Sequence, residues 1–461
     1  MPKTLGIIAE YDPFHKGHAY CLEEAKRQSG ADRSVCIMSG PFVQRGEPSL
    51  FNKYLRAEAA VRNGIDLVLE LPFVYAATGA ENFARGGVRA LAGIGICDAI
   101  AFGSERAVES PGTVISDLKE IAQLFAFETK EFSEKTQLFM KQGLSYPAAR
   151  QEALRGVLGE ERAALVQHPN DILDIEYLRQ IVLLEAERSS KAMMCFRPAY
   201  MAAGGGRSPE DIELYAIPRI GSGPDTVNEK GGFAGASAIR SLLRVGRIGR
   251  GFAFTTDRSA DVFKNGIIEE IPTVSAWECK SNPLYEYNLA ATPQRGHIMV
   301  FPDDLYDALC YSLIAMHVGE PEEIYSASEG LENRLLTAAG RAENFRDLVQ
   351  AVKSKRYTET RIRRFFLHTA LRLSKAEMEE ALSERICVRV LAFNAQGAEM
   401  LREIHGIGPE VYVYQNLRQE QDELDRSRMM ISLGIRADKL YHMLGFRTLT
   451  GFRYSPEPVR V

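Results

Sequence analysis

Ile7-Ile8-Ala9-Glu10-Tyr11-Asp12-Pro13-Phe14-His15-Lys16-Gly17-His18 runs from an apolar strand into a helix start through two histidines around a glycine. α/β proteins place phosphates at such a turn. Glycine lets the backbone approach an anion, the free N–H groups of the next helix point at it, and two imidazoles add donors for charge developing on a phosphate. The plainer reading is a turn with incidental histidines. Zinc is a third reading, but no Cys, Asp or Glu cluster supplies further ligands at a usual spacing, so no metal site is expected.

Outward from this turn, Leu5–Ala9, Ser34–Met38, Asp66–Leu71 and Asp98–Phe102 are short apolar runs. Stretches that read as helices separate them, near His18–Gln28, Lys53–Asn63 and Gly79–Ala92. Strand, helix and strand in this rhythm predict a parallel sheet with right-handed crossovers, whose ligands sit beyond the carboxyl ends of the strands. His15, His18 and Gly103 fall there. The first turn lacks Gly-x-Gly-x-x-Gly, which disfavours a dinucleotide-binding domain.

The chain has 461 residues, more than one hydrophobic core usually serves, so two units are expected: 1–250 carrying the nucleotide site and 251–461 mainly helical. Residues 112–183 read as helical, and Ser189–Ile212, rich in Gly, Ala and Ser, reads as a loop inserted near 189–212. With 45% hydrophobic and 25% charged residues, no apolar run long enough to cross a membrane and no export signal, a cytoplasmic enzyme is expected. Seven scattered cysteines without Cys-x-x-Cys read as reduced thiols. The formal net charge of −5 argues against a surface basic throughout but allows a local cationic patch. If 360–375 is one helix, Arg361, Arg364, His368, Arg372 and Lys375 share a stripe opposite Ile362, Phe366, Ala370 and Leu373. The stripe is either a solvated face or a seat for a phosphate backbone. Ser237 and Arg240, opening an apolar-periodic helix, put a capping hydroxyl and a guanidinium where a phosphate is favoured, or are an ordinary cap and a surface arginine.

The His-x-Gly-His turn resembles the signature of the nucleotidyltransferase superfamily. With Met38–Pro48, Phe102-Gly103-Ser104-Glu105, Pro169-Asn170-Asp171-Ile172-Leu173, Ser328–Arg334 and Val388–Asn394, the chain resembles the bacterial tRNA(Met) cytidine acetate ligases. The resemblance implies an α/β, Rossmann-like nucleotidyltransferase domain with a HIGH-type parallel sheet, followed by a mainly helical, tRNA-binding C-terminal domain. It implies an ATP site comprising Ile8, Ala9, Glu10, Tyr11, Asp12, Pro13, Phe14, His15, Gly17, His18, Cys21, Gly103, Asn170 and Arg219, with Arg197 as a competitor for the last position. Ser237 and Arg240 join that site, and Arg361, Arg364, Arg372 and Lys375 are the expected tRNA contacts. His15, His18 and Lys16 would act on the phosphates, Ser39–Glu47 would close over nucleotide and acetate, and Lys53 and Arg56 would reach phosphates.

The implied chemistry starts with acetate and ATP, accompanied by Mg²⁺, giving acetyl-adenylate and pyrophosphate. The wobble cytidine amine of elongator tRNA(Met) then takes the acetyl group and AMP leaves. Three departures from the family pattern stand out: Asp12 where Asn is expected, Pro41 where Asn is expected, and Ile220–Asp225 without an aromatic-His-Asp. Two rival readings are a small-molecule adenylyl- or cytidylyltransferase and a non-catalytic nucleotide-binding scaffold. Oligomeric state is left open.

Overall fold

The computed structural model describes residues 2–108, 114–166, 169–193, 212–219, 235–248, 299–354, 357–415, 427–449, 452 and 457–461. The four apolar runs form strands β1 (Thr4–Ala9), β2 (Arg33–Ser39), β3 (Leu67–Leu71) and β4 (Ala99–Ser104). Asp66 and Asp98 fall just outside their strands, because each carboxylate caps a neighbour. Asp66 accepts the Ser34 N–H at 2.8 Å and Asp98 the Thr4 N–H at 2.7 Å. A further strand, β5 (Glu213–Pro218), pairs with β4.

The sheet runs β5-β4-β1-β2-β3 and continues through two strands from the C-terminal half, β6 (Cys387–Phe393) and β7 (Tyr412–Tyr414). From β1 the chain steps to β2 and β3 on one side, while β4 and β5 lie on the other, and these five strands are parallel. The strand order therefore reverses between β1 and β4, and a crevice opens beyond their carboxyl ends. Helices α1 (Lys16–Ser29) and α2 (Lys53–Arg62) cover one face, where Leu22, Ala25, Ala57 and Ala60 pack on Leu5, Ile7, Cys36 and Met38. The helices Ala80–Gly93 and Pro169–Met193 cover the other face through Phe83, Val88, Leu91, Tyr177 and Ile181. Removing both faces from water explains why these strands are apolar throughout instead of alternating.

The C-terminal half is largely helical where described, yet it also completes the sheet. Strand β6 (Cys387–Phe393), buried along its whole length, pairs antiparallel with β3, and β7 (Tyr412–Tyr414) and β8 (Val459–Arg460) pair with β6. One sheet thus spans residues on both sides of position 250. The periodicity that suggested one helix over 360–375 resolves into two. Glu359–Ala370 ends at Leu371, Arg372 turns back with φ 49°, and Ser374 caps a second helix, Lys375–Ser383, by accepting the Glu377 N–H. The helix Pro169–Met193 continues into the stretch expected as a loop, and 194–211, Arg197 and Ile220–Asp225 lie outside the described residues.

Candidate active site

Where β1 ends, Tyr11 takes φ 46°, Asp12-Pro13 is a cis peptide, and α1 begins three residues on at Lys16. A non-glycine residue in that region is held there by its surroundings. The Tyr11 ring is buried edge-on against Phe14 (centroids 4.8 Å apart) and His18 (4.9 Å). His15 is the N-cap of α1, and its Nδ1 accepts the Gly17 N–H at 3.1 Å. His18, one turn on, accepts the His15 N–H at its own Nδ1 (3.3 Å), and the rings stack with centroids 3.7 Å apart.

Two consequences follow for the imidazoles. Because each Nδ1 accepts, the ring proton of each neutral imidazole sits on Nε2. Burial, then Arg219 and Arg240, lower the His15 pKa to about 4, and burial, His15 and Arg219 push His18 well below its usual value. The turn therefore presents two neutral N–H donors beside a helix N-terminus, whose own free N–H groups and dipole also favour an anion.

The cations come from separate elements. Arg219 follows β5, donates its N–H to the Ser104 carbonyl at 3.2 Å and lays its stem over Gly103, where a Cβ would lie 3.4 Å from Arg219 Cγ. Arg240, in the first turns of the helix Ala236–Ile248, donates to the Asp12 carbonyl at 2.5 Å and to Ser237 Oγ at 3.2 Å. Ile8 and Ala9 close β1 below the turn. Gly17 and half-buried Lys16 open α1. Cys21 lies one turn past His18, its thiol pushed up to about 11 by burial and so unionised. Asn170 falls in the first turn of Pro169–Met193, with its side chain outside the described residues.

The loop from Ser39 to Leu50 lies against this crevice. The Gln44 N–H donates to Glu10 Oε1 at 2.7 Å, burial raises the Glu10 pKa, and Arg45 Nη1 reaches Ser237 Oγ at 3.2 Å. Arg56 is buried and donates from its fork to the carbonyls of Glu10, Ser39 and Gly40, and from Nε to that of Phe51 at 3.1 Å. It clamps the loop and does not face phosphates. Lys53 is likewise buried between Glu70 (2.7 Å) and Asp438 (2.7 Å), an ion cluster that ties α2 and β3 to the helix Arg428–Phe446. The sequence leads one to expect both residues at phosphates, because charge is legible there and burial is not. Arg45 is expected only as part of the closing loop, and Asp174, a buried aspartate whose pKa burial and Asp171 raise, is not singled out. A Pro-x-Asp-x-x-Asp spacing on a helix was the available signal.

The cationic stripe is dispersed. His368 is in the core, bonded to the Ala77 carbonyl (3.0 Å) and Ser326 (2.6 Å), and burial lowers its pKa to about 3. Arg364 donates to the Gln44 carbonyl at 3.1 Å, and Gly46, at φ 77°, packs on the Arg364 backbone. Arg361 lies over the Tyr357 ring at 5.1 Å and bonds Ser328, Arg372 pairs with Glu320 (2.8 Å), and Lys375 donates to the Glu322 carbonyl at 2.6 Å. Of these, Arg361 and Arg372 keep about a third or more of their side chains in solvent, 33% and 42%.

A model of the HIGH nucleotidyl transferase family matches residues 2–195 and 199–451. Among curated proteins, the chain is similar to the tRNA(Met) cytidine acetate ligase of Thermoanaerobacter sp. strain X514, at 33% identity over 92% of this chain and 91% of the relative. It is also similar to that of Caldicellulosiruptor saccharolyticus, at 34% over 87% and 85%. Among solved structures, Thermotoga maritima TmcAL bound with alpha-thio ATP superposes with TM-score 0.77 at 27% identity, covering 99% of each chain. Its apo form gives 0.80 at 27% identity, covering 100% of this chain and 99% of that one.

Proposed function

The chain belongs to the tRNA(Met) cytidine acetate ligases of the HIGH nucleotidyl transferase family, and from that premise we propose that it activates acetate with ATP and acetylates the wobble cytidine of elongator tRNA(Met). The observation that carries this reading is the reciprocal pinning of His15 and His18, which leaves two neutral Nε2–H donors at a helix N-terminus beside Arg219 and Arg240.

In the first step an acetate oxygen bonds to the α-phosphorus of ATP, the bridge to the β-phosphate breaks and pyrophosphate leaves. Charge grows on the departing pyrophosphate, and donors already fixed by the turn stabilise it without reorganising. A neutral imidazole suits this task because it donates without contributing a proton that the reaction would have to return. Arg219 and Arg240 supply the positive charge. In the second step the cytidine N4 amine attacks the acetyl carbonyl, its surplus proton departs and AMP is released. That amine is a weak nucleophile, so positioning against a reactive mixed anhydride does most of the work. A paired base cannot reach a recessed site, so the target cytidine enters unstacked from a single-stranded loop.

Mg²⁺ is proposed to arrive with the nucleotide, held by phosphate oxygens and water. Asp12, for one, already faces Arg240 and the Leu50 N–H. Arg361 and Arg372 are the tRNA contacts best placed in solvent, Lys375 reaches the same Glu320–Glu323 turn as Arg372, and Arg364 contributes by seating the loop. The protein is proposed to work in the cytoplasm, where its substrates meet.

Incubation with ATP, labelled acetate and elongator tRNA(Met) should place label on one cytidine, with AMP and pyrophosphate formed in step. Release of ADP, or label in no nucleoside, would contradict the reading.

A further inference from the structure

Asp12 stands in the turn between β1 and α1 and is 3% exposed. Its Oδ1 accepts the Leu50 N–H at 2.6 Å, and its Oδ2 lies 3.3 Å from Arg240 Nη1, which also donates to the Asp12 carbonyl. Arg240 Nη2 donates to Ser237 Oγ at 3.2 Å, and the same oxygen takes a hydrogen bond from Arg45 Nη1 at 3.2 Å. Three segments distant in sequence thus meet at one carboxylate: the histidine turn, the loop that ends at Leu50, and the helix Ala236–Ile248.

A carboxylate beside a triphosphate is electrostatically unfavourable, because like charges a few ångströms apart in a water-poor crevice repel strongly. An asparagine would accept the Leu50 N–H equally well through its amide oxygen. What it could not supply is an anionic partner for Arg240. The residue that costs phosphate binding by its charge is thus the residue that fixes the guanidinium.

We propose that Asp12 is a positioning residue, which touches no phosphate and instead holds the Arg240 guanidinium, together with the loop at Leu50, in the arrangement that receives the triphosphate. The inference rests on reading the crevice as an ATP site. It makes Arg240 a donor aimed in advance, so that binding does not have to order a long side chain.

The test is direct ATP binding to the full chain, without acetate or tRNA, for wild type, Asp12→Asn, Arg240→Ala, the double variant and Arg240→Lys, with thermal melting of each. Asp12→Asn should weaken ATP binding about tenfold even though it removes a negative charge. In the Arg240→Ala background the same substitution should strengthen binding, because only the repulsion is left to relieve. Arg240→Lys keeps the charge but not the two-pronged geometry, and should lose about as much as Asp12→Asn. Tighter ATP binding by Asp12→Asn in the presence of Arg240, equal weakening in both backgrounds, or wild-type affinity in Arg240→Lys would each overturn the proposal. If Asp12→Asn fails to fold, Asp12→Ser takes its place in both backgrounds. Absence of acetyl transfer to tRNA would sink the ligase reading but not this cycle, whereas absence of ATP binding by the wild type would sink both.

Discussion

His15 and His18 stack 3.7 Å apart, and each ring accepts a backbone N–H at Nδ1, from Gly17 and from His15 itself. The pair is one unit: the capping bond that starts the helix also sets the tautomer of the proposed catalytic donors. Loss of either imidazole removes a cap as well as a donor. Capping is worth about 1 kcal/mol, too little to unfold a chain of this size by itself. His15→Ala should therefore melt a few degrees lower while binding ATP within several-fold of wild type, as calorimetry would show. Collapse of the melting transition would mean that the histidines are chiefly structural.

Stability should fall as pH drops below about 6.5, and His368 is one cause. Its folded pKa is about 3, so between 6.5 and 3 the unfolded chain binds a proton that the folded chain refuses. The stability this group contributes is fully present above pH 6.5 and is lost as pH falls toward 3, at about 1.4 kcal/mol per unit. Urea midpoints of His368→Gln between pH 7 and 4.5 should slope less than those of wild type. Parallel slopes would remove His368 from the explanation.

The buried cluster of Lys53, Glu70 and Asp438 makes a different prediction. Lys53→Met strands Glu70 away from water and leaves Asp438 only the buried Arg389 at 3.7 Å, and should cost roughly 3–5 kcal/mol in urea unfolding, whereas adding Glu70→Gln should recover part of the loss. Additive destabilisation by the two changes would show that Lys53 and Glu70 do not act as a pair.

Gly46→Ala should unseat the loop. At φ 77° a Cβ is strained, and it would lie 2.4 Å from the Arg364 N. A displacement of about 1 Å in a loop proposed to close over substrate can cost roughly 10²-fold in kcat/KM, and because Gly46 is buried against the helix Glu359–Ala370 the melting temperature should fall as well. Normal kcat/KM would show that the loop has no part in closure.

Reversal of Arg361 and Arg372 to Glu should weaken tRNA binding, lower the slope of log affinity against log salt by about 1–2, and leave ATP binding unchanged. Arg364 is not suited to that test, because its contact with the Gln44 carbonyl makes it part of the loop. Unchanged tRNA affinity across salt would move the interface elsewhere.

Local signals carried much of this architecture. The strands β1 to β4 are apolar because both faces are covered, and α1 announces itself through His15 at the cap and the basic residues of its last turn. The place of β6 in the sheet is not legible locally, although Val388–Phe393 is as apolar as β2, because its partner β3 lies more than 300 residues earlier and pairing at that separation leaves no local trace. For the same reason Lys53, Arg56 and Arg364 looked like phosphate ligands. Only the fold shows that Asp438 and the carbonyls of the loop already hold them. Residues of the turn itself were legible because their chemistry and their spacing are local.

Acetate-dependent exchange of labelled pyrophosphate into ATP, measured for wild type and His18→Ala, tests the adenylate chemistry most directly. Wild type should exchange only when acetate is present, and His18→Ala should bind ATP within several-fold yet exchange ~10²–10³ times more slowly, since its donor acts where charge develops. Exchange that is equally fast without any carboxylate, or a folded His18→Ala protein that exchanges at close to the wild-type rate, would contradict it.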